Sequence, residues 1–330
     1  MSQDCAVCYV SDINFMLPSL VSAKGLRRYV PADKVDIYIF AIDIEPERAK
    51  AITSYVAADA IRVVAMSSRH LTGVGWERTN KTHVPVSCLG RFFLDSLLPE
   101  RTERIVYLDG DTLIMRDPTS LIATTFPEGK LAAVEDISFF CCNDMTAHGR
   151  FVKAYFRGLG IDGTKGYFNS GVLAAGRSTW RMIATEALRF FLKNPELCKY
   201  HDQSALNAII GNRRLRLSPA WNFQTPYRYW GVDQVIQPAI YHFTQAHKPW
   251  MGPMKPWSEL FPLYEKEMTV LGPLGLPTKR RPQDEIDDAN VQARRVLQKL
   301  KWVYPARLWL RKKKILRLAE NSIDLKRTQL

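Results

Sequence analysis

The sequence lacks the features of membrane-spanning, secreted and disulfide-rich proteins. Among its 330 residues, no run approaches the roughly 18 apolar residues that a membrane-spanning helix needs. Its six cysteines are too few for a disulfide framework in so long a chain, so we expect reduced thiols. The apolar run over residues 5–10 is too short for a signal peptide and has no basic residues before it. We therefore expect a globular protein that stays in the cytoplasm.

Basic residues are also not distributed along the chain as in a typical nucleic-acid enzyme. Of the formal net charge of +13, residues 279–330 carry +9 and the first 278 residues only +4. No stretch before residue 279 interleaves basic and aromatic side chains, which argues against a nucleic-acid partner. Residues 10–14 likewise lack the glycine-rich, basic phosphate loop that is usual near the N-terminus of nucleotidyltransferases. The excess charge therefore belongs to the C-terminal segment.

Short β-rich runs alternate with helix-like stretches over the first two-thirds of the chain. Apolar runs predict strands buried on both faces over residues 5–10, 35–42, 60–64 and 105–108. Helical periodicity lies between them, over residues 15–29, 46–58 and 85–98. Weaker patterns predict strands over residues 131–134, 171–175 and 239–242, and helices over residues 179–194 and 202–211. The βαβ pattern predicts an α/β fold with a mostly parallel, Rossmann-like sheet flanked by helices.

The C-terminal segment differs from the rest in composition. Proline, glycine and charge accumulate over residues 272–282, which indicates a linker between a main domain, residues 1–271, and a basic extension, residues 272–330. The extension is predicted to be helical, and it places apolar residues such as Trp309 and Leu310 beside Arg311 and Lys312. A solvated terminal helix would explain this pattern, but we favour an interfacial helix that binds anionic lipid, worth about 1 kcal/mol per basic residue.

Two carboxylates follow the predicted strand at residues 105–108. Asp109 and Asp111 lie at the carboxyl end of that strand, which is where ligands bind in open α/β sheets. Gly110 allows a sharp turn between them, and the pair can hold a divalent cation while leaving positions for phosphate oxygens. A carboxylate pair that only caps the following turn is the alternative.

Polar residues follow two other predicted strands. Asp12 and Asn14, after the first strand, are suited to contact a base or ribose, although an Asp12 that only caps the next helix is equally consistent. His242 ends another strand and precedes Lys248, so this pair offers a nitrogen metal ligand and a cation for a diphosphate. Carboxylate, imidazole and phosphate ligands together favour Mn²⁺, with Mg²⁺ as the alternative. A histidine buried in the core is the simpler reading of His242.

Taken in order, these residues resemble the motifs of glycosyltransferase family 8, which includes glycogenin and bacterial lipopolysaccharide α-galactosyl- and α-glucosyltransferases. The resemblance runs over about three-quarters of the chain. Its motifs are Asp12-x-Asn14, Arg91, Tyr107-Leu108-Asp109-Gly110-Asp111, Tyr167-Phe168-Asn169-Ser170-Gly171, Asp202-Gln203-Ser204, Trp221-Asn222-Phe223 and residues 242–250. The resemblance implies a GT-A fold, a UDP-hexose donor, Mn²⁺ and transfer with retained anomeric configuration.

The resemblance also implies a role for each matching residue. Metal ligands are implied at Asp109, Asp111 and His242. Uridine contacts are implied at Asp12 and Asn14, and contacts to the donor sugar and its phosphates at Arg91, Gly110, Asp136, Asn169 and Ser170. Lys248 resembles a phosphate-binding lysine, and Gln203, with Asp202 beside it, resembles the residue facing the anomeric carbon.

The expected reaction follows from these roles. We expect galactose or glucose to pass from UDP to a saccharide acceptor, such as the lipopolysaccharide core, at the cytoplasmic face of the inner membrane. The family mechanism is disputed, and we favour front-face attack stabilised by Gln203 over a double displacement through Asp202. Acceptor recognition is assigned to residues 66–83 and 139–163. A metal-dependent sugar nucleotidyltransferase and a non-catalytic, membrane-tethered scaffold remain as alternatives.

Overall fold

The computed structural model describes residues 4–69, 86–161, 166–323 and 325. Residues 70–83 of the first predicted acceptor loop, and residues 162–163 of the second, lie outside these ranges. Within them, the strands are β1 (Cys5–Ser11), β2 (Asp36–Ile42), β3 (Ile61–Met66), β4 (Arg104–Leu108), β5 (Thr112–Ile114), β6 (Leu131–Glu135), β7 (Phe168–Gly176), β8 (Arg214–Arg216), β9 (Phe223–Gln224) and β10 (Ile240–His242).

Seven of these strands form a central sheet in the order β3-β2-β1-β4-β7-β6-β8. Four of its strand pairs are parallel, and only β7 runs against its neighbours β4 and β6. The mostly parallel α/β sheet predicted from the sequence is therefore confirmed. A small second sheet pairs β10 with β5 in antiparallel and with β9 in parallel orientation.

The helices cover both faces of the central sheet. Across the described ranges they are α1 (Ile13–Arg27), α2 (Pro46–Val56), α3 (Leu94–Leu97), α4 (Thr119–Ala123), α5 (Ile137–Cys141), α6 (Ala147–Gly158), α7 (Arg177–Lys193), α8 (His201–Ile210), α9 (Thr225–Tyr229), α10 (Phe261–Leu271), α11 (Gln283–Gln298) and α12 (Pro305–Glu320), with several short 3₁₀ turns between them. Along β1, Val7 and Tyr9 join the core on the α1 side, whereas Ala6 and Cys8 join the core on the α7 side. Successive strand residues point to opposite faces, so β1 is buried on both.

Two sequence predictions are wrong in detail. Residues 60–64 were expected to be buried on both faces, but β3 is the edge strand and only Ile61 within it is buried. Residues 85–98 were expected to form one helix, but the described part is a 3₁₀ helix, Val86–Phe93, followed by the single turn α3. The segment lies close to β1, because a Cβ atom at Gly90 would be 2.6 Å from Val10 Cγ1. Hydrophobic periodicity does not encode such a contact.

Helix α12 packs against the main domain through one face. Ile315 is fully buried, and the Lys314 ammonium lies 3.7 Å from the centre of the Phe139 ring. Arg311 forms an ion pair with Asp144. Part of the basic surface that we assigned to lipid therefore contacts protein instead.

The opposite face of α12 is open to solvent. Trp309 and Leu310 are 59% and 58% exposed, and Trp302, just before the helix, is 82% exposed. The Lys313 ammonium lies 4.9 Å from the centre of the Trp309 ring. None of the helices within the described ranges has both the length and the apolar character required to cross a bilayer. Helix α12 thus packs against the main domain through one face and exposes apolar and basic side chains on the other.

The buried face of α12 predicts that the extension stabilises the main domain. Replacing Ile315→Ala removes a fully buried side chain and leaves a cavity, so we expect the free energy of unfolding to fall by about 2–5 kcal/mol. Leu310→Ala, on the exposed face, is the matched control and should change it by less than about 0.5 kcal/mol. Urea denaturation followed by circular dichroism measures both, and equal effects of the two variants would show that α12 does not pack as described.

Candidate active site

A cavity of about 440 Å³ opens at the carboxyl ends of β1 and β4. The chain leaves β4 at Leu108, passes through Asp109, Gly110 and Asp111, and enters β5, which belongs to the second sheet. In that sheet, His242 of β10 pairs with Thr112 of β5. The junction of the two sheets therefore brings His242 beside the two carboxylates that follow β4.

Asp109, Asp111 and His242 converge at this junction. His242 Nε2 lies 3.3 Å from Asp111 Oδ1 and 3.6 Å from Asp109 Oδ2. One ligand atom from each residue lies within 4.8 Å of the others, as a shared metal ion requires. Two carboxylates and an imidazole fit Mn²⁺ or Mg²⁺ completed by phosphate oxygens or water. The predicted metal ligands are thus brought together.

The Arg91 guanidinium lies in the wall of the cavity. It is 3.0 Å from Asp109 Oδ1 and 3.1 Å from Asp202 Oδ2, and it donates to the Ser170 carbonyl oxygen at 2.7 Å. Its flat face lies 4.3 Å from the centre of the Tyr107 ring. Burial alone would lower the pKa of Arg91, but Asp202, Tyr107 and Asp109 raise it above its usual value. Arg91 therefore stays charged and holds two carboxylates in place.

Lys248 reaches the same centre from the loop that follows β10. Its ammonium lies 2.8 Å from Asp111 Oδ2 and also contacts the Phe243 carbonyl oxygen. Burial would raise the pKa of Asp111, but Lys248 and His242 together hold it well below its usual value. Asp111 is consequently ionised, as a metal ligand needs to be.

Gln203 and Asp202 lie side by side at the start of α8 but in different surroundings. Gln203 Oε1 accepts from the Ser170 N–H and from Asn169 Nδ2, both at 3.1 Å. Asp202 lies behind it in the ion pair with Arg91. Burial raises the pKa of Asp202, whereas Arg91 opposes that effect. The carboxamide of Gln203 is fixed by neutral donors, while Asp202 is engaged with a cation.

Asp136, a donor-sugar contact in the sequence prediction, lies at the start of α5. It caps α5 by accepting from the Ser138 N–H at 2.8 Å, and its other oxygen accepts from Asn169 Nδ2 at 3.0 Å. The cavity is lined by Asp136 and Asn169, and also by Ser170 and Gly110. The structure thus brings the predicted sugar contacts and Gln203 to one side of the cavity.

Asp12 caps α1, which is the alternative role that the sequence offered for it. Its side chain accepts from the Asn14 N–H at 2.8 Å and from the Phe15 N–H at 3.2 Å. The neighbouring wall of the cavity is formed by Val10 and Phe15. The uridine contacts assigned to Asp12 and Asn14 stay predictions.

Glycines allow the close approach of backbone at this centre. A Cβ atom at Gly171 would lie 2.2 Å from His242 Cε1 and 2.8 Å from Asp109 Oδ2. A Cβ atom at Gly110 would lie 2.3 Å from Ser19 Oγ. Lack of space beside Ser19 therefore requires glycine between the two carboxylates, whereas the backbone of Gly110 is not at the positive φ that would itself favour glycine.

Several residues of the site had no function predicted from the sequence. Asn222, whose Oδ1 lies 2.8 Å from His242 Nδ1, stands in a motif that we noted without assigning it a function. The Tyr107 hydroxyl donates to Asp109 Oδ1 at 2.8 Å, and Tyr107 stands two residues before Asp109 in the sequence. Tyr200 and Gln245 line the cavity. Gln245 falls inside the motif at residues 242–250, but no role was predicted for it or for Tyr200.

Comparison with known proteins agrees with this geometry. The family profile of "Glycosyl transferase family 8" matches residues 6–260. General stress protein A of Bacillus subtilis is 25% identical, over 73% of this chain and 84% of that protein. Lipopolysaccharide 1,3-galactosyltransferase of Salmonella typhimurium is 28% identical, over 76% of this chain and 72% of that protein. Lipopolysaccharide glucosyltransferase WaaO of Escherichia coli is 23% identical, over 77% and 72%.

Solved structures share the fold. The galactosyltransferase LgtC, crystallised with donor and acceptor sugar analogues, matches with a TM-score of 0.62 and 19% identity, over 84% of this chain and 98% of that one. The glycosyltransferase GlyE of Streptococcus pneumoniae matches with a TM-score of 0.55 and 20% identity, over 82% and 64%. The chain has the GT-A fold of these enzymes, and it is a member of glycosyltransferase family 8.

Proposed function

We propose that the protein transfers galactose or glucose from a UDP-sugar to a saccharide on a lipid-linked glycan, such as the lipopolysaccharide core. The observation that carries this proposal is the convergence of Asp109, Asp111 and His242, with Lys248 beside Asp111, next to a cavity that both carboxylates line. Relatives named as lipopolysaccharide glucosyl- and galactosyltransferases support the sugar and the acceptor class.

The same convergence supports a metal-dependent reaction. We assign Asp109, Asp111 and His242 as ligands of Mn²⁺, with Mg²⁺ as the alternative. When bound there, the cation neutralises negative charge on the departing diphosphate. Lys248 adds a second positive charge on the same side, and Asp12 and Asn14 are our proposed uridine contacts.

The proposed transfer retains anomeric configuration by attack on the face from which UDP departs. The bond between the anomeric carbon and the phosphate oxygen breaks, the acceptor oxygen bonds to that carbon, and its proton passes to the departing phosphate oxygen. Gln203, held by Ser170 and Asn169, stabilises the oxocarbenium-like charge, and Asp136 and Asn169 orient the sugar. The ion pair with Arg91 favours a positioning role for Asp202 over that of a nucleophile.

We further propose that residues 272–330 bind the cytoplasmic face of the inner membrane while residues 1–271 carry catalysis. The exposed face of α12 presents Trp309 and Leu310, with Trp302 nearby and Lys313 beside Trp309. Exposed tryptophan and leucine among cations suit the headgroup region of an anionic bilayer.

A donor screen tests the proposed reaction directly. We expect Mn²⁺ together with UDP-galactose or UDP-glucose to raise the melting temperature, because a ligand that binds only the folded state stabilises it. Slow release of UDP from one of these donors should accompany binding, and the N-acetyl forms serve as comparison. If no UDP-hexose is bound or hydrolysed, or if UTP and a sugar phosphate yield pyrophosphate instead, the proposal is wrong.

Removing one proposed metal ligand should abolish transfer. We expect Asp111→Asn to lower kcat/KM for the UDP-hexose by about 100-fold or more and to weaken Mn²⁺ binding, because it deletes a charged ligand. The matched control is Asp33→Asn, a carboxylate that is 71% exposed in a surface ion pair. Electron paramagnetic resonance measures free Mn²⁺, and a coupled assay measures UDP. Unchanged Mn²⁺ affinity in Asp111→Asn would contradict the assignment.

Lipid binding should depend on the exposed face of α12. We expect the double substitution Trp309→Ala and Leu310→Ala to weaken binding to phosphatidylglycerol vesicles by about tenfold or more, because both apolar side chains leave the interface. Val270→Ala, an exposed apolar residue on α10, is the control. Vesicle co-sedimentation measures binding, and UDP affinity should not change. Equal binding to neutral phosphatidylcholine vesicles would argue against an anionic surface.

A further inference from the structure

Buried hydrogen bonds connect the proposed sugar contact Asp136 to the proposed metal ligand His242. Asn169 Nδ2 lies 3.0 Å from Asp136 Oδ2, and Asn222 Nδ2 lies 2.8 Å from Asn169 Oδ1. Asn222 Oδ1 in turn lies 2.8 Å from His242 Nδ1. All four side chains belong to residues that are less than a tenth exposed. Water therefore has little access to any of these three bonds.

Two hydrogen-bond partners fix the orientation of the Asn169 carboxamide. An ionised carboxylate can only accept a hydrogen bond, and a backbone N–H can only donate one. Asn169 turns its Nδ2 to the Asp136 carboxylate and its Oδ1 to the Gly171 N–H, at 2.9 Å. A flip of the Asn169 carboxamide would break both bonds. Its orientation is thus set by groups that cannot change their own roles.

That orientation passes to Asn222 and then to His242. Because Asn169 Oδ1 accepts, Asn222 must approach it with Nδ2 and present its own Oδ1 to the imidazole ring. A carboxamide oxygen only accepts, so the hydrogen of the ring must lie on Nδ1. In the neutral ring, Nε2, which faces Asp109 and Asp111, is then the nitrogen with a free lone pair. That is the state in which a histidine binds a metal.

We propose that Asn222 is a positioning residue that holds His242 with its hydrogen on Nδ1 and its Nε2 lone pair toward the cation, and that Asn169 orients Asn222. The inference rests on the metal site of the proposed function. It also joins the two ends of the donor site, because Asn169 Nδ2 contacts both Asp136 and Gln203 Oε1. The metal ligand and the sugar contacts then share one hydrogen-bonded frame.

Two variants of Asn222 test the proposal. Asn222→Leu keeps a similar volume but removes both the acceptor for His242 Nδ1 and the donor to Asn169 Oδ1. Asn222→Asp keeps the acceptor and loses only the donor, so it tests whether the acceptor alone holds the ring. The matched control is Thr225→Val, since Thr225 is fully buried and its hydroxyl lies 3.5 Å from the backbone oxygen of His242 without facing the ring. If Asn222→Leu acted only by destabilising the fold, Thr225→Val should weaken Mn²⁺ binding as well. Mn²⁺ affinity is measured by electron paramagnetic resonance, and the ring hydrogens by ¹⁵N NMR of the metal-free protein at a pH at which the His242 ring is neutral.

We expect Asn222→Leu to weaken Mn²⁺ binding by about 10- to 100-fold and to move ring hydrogen from Nδ1 to Nε2. Asn222→Asp should stay within about threefold of the wild-type Mn²⁺ affinity, and Thr225→Val should match wild type in both measurements. A wild-type ring with its hydrogen on Nε2 alone, or an Asn222→Leu variant with unchanged Mn²⁺ affinity, overturns the proposal. Failure of the proposed sugar transfer would leave the NMR result unchanged, because the position of the ring hydrogen is measured without UDP-sugar, saccharide acceptor or metal.

Discussion

The buried guanidinium of Arg91 is the group on which the architecture of the cavity depends. Asp109, Asp111 and Asp202 all face this cavity, and carboxylates so close together repel one another when ionised. Arg91 contacts Asp109 and Asp202 simultaneously, while Lys248 and His242 compensate Asp111. Deleting one partner of such a buried pair typically costs about 3–5 kcal/mol, because an unpaired charge remains. The carboxyl end of β4 keeps its acidic pair because two cations from other parts of the chain, Arg91 and Lys248, meet it there.

The positions of the site residues also depend on contacts outside the cavity, which are made by the two sheets and by helix α12. The acidic pair lies on the connection between β4 and β5, so any change in the pairing of β5 with β10 would move His242 relative to the carboxylates. Helix α5, which begins directly after Asp136, is contacted by Lys314 of α12 through the Phe139 ring. An isolated helix of five residues is unstable, so such packing is what holds α5 in place. The proposed lipid-binding segment is therefore also part of the support of the donor site.

The sequence allowed the central strands and the acidic pair to be predicted, but not several contacts on which the site depends. Long apolar runs such as β1 and β2 are unambiguous, whereas β5, β8 and β9 are too short to show any periodicity. Periodicity also carries no strand direction, so the antiparallel course of β7 could not be read. Asn222 could not be assigned a role, because its contact with His242 joins residues that are twenty positions apart. In α12, the basic pattern predicted an amphipathic helix but not that Arg311 and Lys314 would contact protein rather than lipid.

The glycines that flank the acidic centre restrict how enzymes of this architecture can diversify. At Gly110 and Gly171 even one methyl group would meet Ser19, His242 or Asp109 below 3 Å, so neither position can carry a side chain. Main chain has the same chemistry whatever the neighbouring residues, and point substitution cannot retune it. New preferences for sugar or acceptor are therefore expected at lining positions that do carry side chains, such as Tyr200 and Gln245. The two glycine positions keep the geometry of the acidic pair, while those side-chain positions are open to substitution.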